Sequence, residues 1–325
     1  MGFFLMSVEQ IAKDIASMKI RGAARIGRAA ARALAITAKQ SKASKPDELM
    51  EDLRRTSELL LSTRPTAVSL SNSIRYVMYR ATQAYQSGAS VKKLKFMVIK
   101  AAKDFRLSSL KAIVTIGVIG SRRIKDGDVI LTHCNSSAAL SIMVKAKQAG
   151  KSFQVIATET RPLYQGRLTA KYLSKHGIPV TLIVDSAVRF VMHEVDKVIV
   201  GADVVTANGA VVNKIGTSLI ALAAREARVR FFVAAETYKF SPLTVLGELV
   251  EIEERPPEEI VPKSFLSKYP SVKVRNPAFD VTPPELIDLI ITEKGIIPPQ
   301  CAILILKEEF GWVLEEKAEW MFKEE

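Results

Sequence analysis

Five short runs of β-branched and aromatic residues punctuate the second part of the chain: DVILTH from Asp128, FQVIATE from Phe153, VTLIVD from Val180, KVIVGAD from Lys197 and RFFVAAE from Arg230. They alternate with helical patterns such as SSAALSIMVKAKQAG, YQGRLTAKYLSKHG and GTSLIALAAREA. Strands that are apolar almost throughout must be covered on both faces, and the intervening helices supply the cover. The arrangement this dictates is a parallel sheet in a doubly wound, Rossmann-like α/β domain, expected over residues 121–325. From Val8 to about Ile119 the apolar residues recur at helical spacing instead, with breaks at KPDE and TRP. Pro46, Asp47 and Glu48 supply a fixed φ and acidic first-turn residues, opening a helix whose face is Leu49, Leu53, Leu60 and Leu61. An N-terminal helical domain, residues 1–120, therefore precedes the sheet domain. The acidic, proline-containing LVEIEERPPEEIVPKSF from Leu249 reads as an excursion over the surface.

An open α/β sheet binds ligands beyond the C-terminal ends of its strands, where helix N-termini point free N–H groups. That edge holds His133, Cys134 and Asn135 after the first strand, Glu159 to Arg161 after the second and Asp185 after the third. Asp203 follows the fourth strand, and Glu236 to Lys239 the fifth.

Cys134 stands just before a helix that begins at Ser136 and Ser137. A helix N-terminus favours an anion and lowers a thiol's pKa, which makes the sulfur available as base or nucleophile; an inert core cysteine and simple serine capping are the plain alternatives. Asp203 has apolar neighbours, a setting that raises a carboxyl pKa and keeps a proton available, although a carboxylate cap explains the same letter. Asn213 and Lys214 precede the helical IGTSLI and form a candidate phosphate clamp, with an ordinary surface lysine as the alternative. Arg21, Gly22, Ala23 and Ala24 open another helix. Small residues there let N–H groups approach an anion while Arg21 offers a fork of donors, and close helix packing would select the same small residues. Arg64, before Pro65, is pushed into an extended turn, and Lys239 again lies at the ligand edge.

Several classes are excluded. The two cysteines, Cys134 and Cys301, are too few and too far apart for a disulfide framework, and no secretory leader pattern is visible, so the expected location is the cytoplasm. The apolar KAIVTIGVIG is too short to span a bilayer, and no membrane role is expected. The formal net charge of +13 is uneven: residues 1–110 carry 20 Lys and Arg against 8 Asp and Glu. Aromatics are sparse in that segment and its charges are spread along amphipathic helices, which fits a solvated face or small anionic ligands and not nucleic acid. There is no Walker loop, Gly-x-Gly-x-x-Gly, CxxC or HExxH motif, and His133, His176 and His193 lack metal-ligand spacing, so neither a cofactor nor a metal is expected.

Seven stretches are specific when taken together: RGAA at 21–24, TRPTAV at 63–68, THCNSSAAL at 132–140, TRPLYQGRLTA at 160–170, GADVVTANGAVVNKIGT at 201–217, AAETYKF at 234–240 and NPAFDVTPPELIDLIITEKGI at 276–296. They resemble the family that joins aldose 1-phosphate isomerases to the regulatory subunits of eukaryotic translation initiation factor 2B. Within it the chain is most similar to the archaeal isomerases that convert α-ribose 1,5-bisphosphate to ribulose 1,5-bisphosphate in AMP salvage. The resemblance implies catalytic roles for Cys134 and Asp203, and substrate contacts at Arg21, Gly22, Ala23, Ala24, Arg64, Ser136, Ser137, Asn213, Lys214 and Lys239. It also implies a phosphorylated pentose as substrate and a homo-oligomer, a hexamer built from dimers. AMP as an activator would make sense of such a pathway, although no residue argues for it. Two further readings are a regulatory subunit without turnover and an isomerase of methylthioribose 1-phosphate.

Overall fold

The structure is a computed structural model that describes residues 7–247 and 249–321. It divides between Ala112 and Ile113 into two compact units. The first is helical: α1 (Val8–Ala16), α2 (Ala23–Gln40), α3 (Pro46–Thr63), α4 (Val68–Gln86) and the start of α5 (Val91–Ser121), which continues into the second unit. Local chemistry fixes the starts. The Ser7 hydroxyl accepts the Gln10 N–H at 3.1 Å ahead of α1, and the Glu48 carboxylate folds back onto the Ser44 and Lys45 N–H groups at 2.8 and 3.2 Å ahead of α3. Leu49, Leu53 and Leu60 are fully buried as the spacing predicts, and Leu61 is half-buried at the rim of that face.

The second unit continues through β1 (Val129–Thr132), α6 (Ser137–Gln148), β2 (Gln154–Thr158), α7 (Gln165–Lys175), β3 (Val180–Ile183), α8 (Val188–Val191), β4 (Lys197–Gly201), β5 (Val204–Val205), β6 (Val211–Lys214), α9 (Thr217–Glu226) and β7 (Arg230–Ala234). It ends with α10 (Lys263–Lys268), β8 (Phe279–Thr282), β9 (Leu289–Thr292), β10 (Gly295–Ile297) and α11 (Ala302–Met321). The main sheet has the order β10-β9-β7-β4-β1-β2-β3, parallel except for β10. Successive residues of one strand enter different apolar clusters: Leu131, Val198, Val200, Phe231 and Val233 one, Ile130, Ile199, Phe232 and Ala234 the other. Both faces of these central strands are therefore buried, which is why they read as continuous apolar runs, whereas β3 at the sheet edge leaves Thr181 and Leu182 exposed. From β1 the chain winds outward to β3, then returns to β4 and winds the other way, so the order reverses between β1 and β4.

One feature differs from the sequence expectation. Between β4 and α9 the chain does more than turn: β5 and β6 form a hairpin across Ala207, Asn208 and Gly209, and β8 joins them in a three-stranded antiparallel sheet. Strands of two and four residues are too short for a period of 2 to stand out. The acidic stretch is irregular apart from short helical turns and α10, yet it is pinned to the approach to β8: Arg255 N–H donates to the Asn276 carbonyl and Ala278 N–H to the Glu253 carbonyl, both at 2.8 Å. Among the described residues no helix is long and apolar enough to cross a membrane.

Candidate active site

The strand order reverses between β1 and β4, and open α/β sheets bind ligands beyond the C-terminal strand ends at such a reversal. Cys134 follows β1 and Asp203 follows β4, and these strands pair directly through Ile130 with Lys197 and Leu131 with Val198. The topology therefore delivers the thiol and the carboxyl to neighbouring strand ends. Lys214, the last residue of β6, is 7% exposed. Burial pushes its ammonium pKa below the ordinary value, against the charges of Cys134, Glu259 and Asp203, while Arg255 adds to the depression. Lys214 is thus within electrostatic reach of both proposed catalytic groups. Among the described residues its ammonium makes no hydrogen bond or ion pair, an unusual state for a buried lysine. Arg255 belongs to the acidic stretch read as a surface excursion; it is held between Glu253 at 2.9 Å and Glu259 at 2.8 Å, and its charge reaches Lys214.

Cys134 has a left-handed backbone with φ of 66°. Its N–H donates to Thr160 Oγ1 at 2.9 Å and its carbonyl accepts from Thr169 Oγ1 at 2.7 Å. Thr160 is left-handed too, with φ of 62°. Asp185 at the end of β3 holds that turn by accepting the N–H groups of Thr160 at 2.8 Å and Arg161 at 2.7 Å, so this edge carboxylate serves the backbone. Ser136 caps α6, its Oγ accepting the Ala139 N–H at 3.3 Å, and it packs against Gly201, where an added Cβ would lie 2.3 Å from Ser136 Oγ. Ser137 is exposed on the first turn.

The N-terminus of α9, read from the sequence as an open anion site beside Lys214, carries an anion of the chain's own. Asp280 on β8, paired in register with Asn213, accepts the N–H groups of Gly216 at 2.7 Å and Ser218 at 3.2 Å. Burial pushes the Asp280 carboxyl up to about 6, while these N–H groups and Lys214 pull it down. Asn213 is buried and donates its amide to Thr217 Oγ1 at 3.0 Å. Lys239 is also buried and pairs with Glu236 at 2.7 Å, and Tyr238 donates to the same carboxylate at 3.1 Å. Glu236 and Asp280 lie within the stretches that carry the resemblance, Glu236 at the ligand edge, but neither was assigned a role; Arg255 had no motif to single it out. Gln165 was missed as well: its Oε1, at the start of α7, is buried and has no hydrogen-bond partner among the described residues.

The remaining candidates lie in the helical unit. Gly22 takes a φ of 86° ahead of α2, a region that disfavours residues with a Cβ, and no side chain caps the helix that begins at Ala23 and Ala24 beside Arg21. Arg64 is the buried C-cap of α3. Among the described residues no His, Cys, Asp and Glu group could hold a metal ion.

The model of the initiation factor 2 subunit family matches residues 19–299. The chain belongs to that family. The family includes enzymes and translation factors alike. Over 314 residues the chain is 57% identical to ribose 1,5-bisphosphate isomerase from Pyrococcus furiosus, covering 96% of this chain and 97% of the relative. Among solved structures it is similar to translation initiation factor eIF-2B from Pyrococcus horikoshii OT3, with 32% identity, a TM-score of 0.77 and coverage of 91% and 98% of the two chains. It is also similar to 5-methylthioribose 1-phosphate isomerase from the same organism, with 34% identity, a TM-score of 0.75 and coverage of 94% and 88%.

Proposed function

We propose that this family member is an aldose–ketose isomerase that converts α-ribose 1,5-bisphosphate to ribulose 1,5-bisphosphate. The observation that carries the reading is the buried Lys214 ammonium within electrostatic reach of both Cys134 and Asp203 at the strand-order reversal. The identity to the Pyrococcus furiosus enzyme, over nearly the full length of both chains, supports the substrate.

A sugar phosphorylated on its anomeric oxygen cannot open its ring unaided. Asp203 gives a proton to the ring oxygen as the bond from carbon 1 to that oxygen breaks, and the Cys134 thiolate removes the proton from carbon 2. The result is an enol with a double bond between carbons 1 and 2. Cys134 returns its proton to carbon 1, and Asp203 recovers one from the carbon-2 hydroxyl as the ketone forms. Lys214 binds a phosphate. Asn213, Lys239, Ser136 and Ser137 supply further substrate contacts. Because Asp280 already occupies the N-terminus of α9, the phosphate near Lys214 is held by the ammonium and not by that helix start. The enzyme acts in the cytoplasm in salvage of AMP, as a hexamer built from dimers, with AMP as activator.

The test is turnover of ribose 1,5-bisphosphate by the purified protein, with and without AMP, beside Cys134→Ser and Asp203→Asn. Acid–base groups of this kind contribute on the order of 10²–10⁴-fold each, and a loss of that size is expected in either variant. Full activity in either would refute the mechanism. Turnover of methylthioribose 1-phosphate alone would refute the substrate, and no turnover of either sugar would favour a regulatory subunit.

A further inference from the structure

The imidazole of His133 connects the two segments that carry the thiol and the unpaired lysine. We propose that His133 is a positioning residue: as a neutral ring it locks the Cys134 turn to the Lys214 turn, and it carries no proton of the reaction. The inference rests on the roles assigned above to Cys134 and Lys214.

His133 Nε2 lies 2.8 Å from the carbonyl oxygen of Ile215. A carbonyl only accepts, so Nε2 bears the hydrogen and donates it. In the neutral ring Nδ1 is then an acceptor, and Thr158 Oγ1, 2.6 Å away, donates to it. One ring thus ties together the end of β1, the last residue of β2 and the turn between β6 and α9. The carbonyl it holds belongs to the residue after Lys214, and the residue after His133 is Cys134 itself. The turn is shaped to receive the ring: at Gly216, where φ is 102°, an added Cβ would stand 3.3 Å from His133 Cε1 and Nε2.

The ring's charge state follows from its surroundings. His133 is 2% exposed, and burial, the largest influence, depresses its pKa. The hydrogen bond to Ile215 and the charge of Asp185 favour the imidazolium, while Lys214 opposes it. With both nitrogens engaged, on Ile215 and Thr158, neither is left to take the Cys134 proton, in contrast to a nucleophile–histidine couple. What the ring controls is the spacing of base and clamp, and misplacing a reacting group by ~1 Å costs on the order of 10²-fold in rate.

The experiment compares His133→Gln, His133→Ala and Thr158→Val with the wild type. It measures kcat and KM on ribose 1,5-bisphosphate and, by peptide mass spectrometry, the pH dependence of iodoacetamide alkylation at Cys134. A glutamine amide can replace the Nε2–H donor, whereas alanine cannot. The expected result is that His133→Gln keeps kcat/KM within about tenfold of the wild type, while His133→Ala loses about 10²-fold. Thr158→Val, which retains the ring and its bond to Ile215, should fall between them, and the pH midpoint of Cys134 alkylation should stay in place in all three. A folded His133→Gln as inactive as His133→Ala, or an alkylation midpoint moved by more than about one unit, overturns the proposal in favour of a proton-carrying or charged histidine. Wild-type kcat/KM in His133→Ala overturns it too. Should the alanine variant fail to fold, the glutamine and valine variants still decide. A wild type without turnover defeats the proposed function instead, and the alkylation midpoints then judge the histidine alone.

Discussion

The backbone N–H of Cys134 donates to the hydroxyl of Thr160 at 2.9 Å, and the two residues share a left-handed conformation, with φ of 66° and 62°. A β-branched residue pays a steric penalty in that region, so the two turns hold each other in place. Thr160→Val removes the acceptor and leaves a half-buried N–H without its partner. The expected cost is about 1–3 kcal/mol in urea denaturation, with Thr160→Ser close to the wild type.

Lys214→Met is expected to separate binding from stability. Without its ammonium, kcat/KM for the bisphosphate should fall by about 10²-fold or more, through loss of a charge-assisted contact of roughly 3 kcal/mol. The folded protein should become more stable at neutral pH, because burial now opposes a charge that makes no hydrogen bond. The sign follows from the depressed pKa: the folded state binds fewer protons than the unfolded chain as pH approaches the ordinary lysine value of 10.5, so the native protein gains stability across that window. The variant's advantage should shrink there, which denaturation midpoints at neutral and alkaline pH will show.

Asp280 gives a pH dependence of the opposite kind. Its folded pKa, about 6, lies above the ordinary 3.8, so between these values the folded state holds more protons than the unfolded chain and this group's contribution to stability falls as pH rises. Asp280→Asn has no such proton to lose. The stability of Asp280→Asn relative to the native protein should therefore improve between pH 3.8 and pH 6 and level off above. Denaturation at a series of pH values checks this, and an unchanging difference would contradict it.

Glu236 and Lys239 form a buried pair at 2.7 Å. Removing one partner strands the other charge, and Glu236→Gln is expected to cost about 3–5 kcal/mol. Adding Lys239→Met should recover a large part of that loss, because the stranded ammonium is gone. The double variant should nevertheless remain poor in turnover, since Lys239 is a proposed substrate contact. Calorimetric unfolding and steady-state kinetics on the single and double variants measure the two effects.

Local sequence determined the elements that repeat a strong signal. Apolar runs such as KVIVGAD and RFFVAAE dictated strands buried on both faces, and the structure places their alternate residues in two different apolar clusters. From strands of that kind it also follows that Cys134 and Asp203 lie at strand ends, because each stands where a run stops. The hairpin of β5 and β6 was not legible, since two- and four-residue strands carry too little periodicity and are stabilised by pairing with β8, more than 60 residues away along the chain.

Only the tertiary structure decided which strand ends are neighbours. The winding order sets β1 against β4, and no local preference encodes that choice. It decided also that Asp280, from a distant strand, fills the helix start beside Lys214, that Glu236 takes the charge of Lys239, and that Arg255 reaches the site from a stretch whose composition reads as surface. A residue's type reports the chemistry it can perform. Its pKa and its partners come from burial and from charges that arrive by folding: Lys214 stood out in the sequence as a candidate phosphate clamp, but its burial, the hydrogen bonds of His133 and the raised carboxyl pKa of Asp280 came only with the tertiary structure.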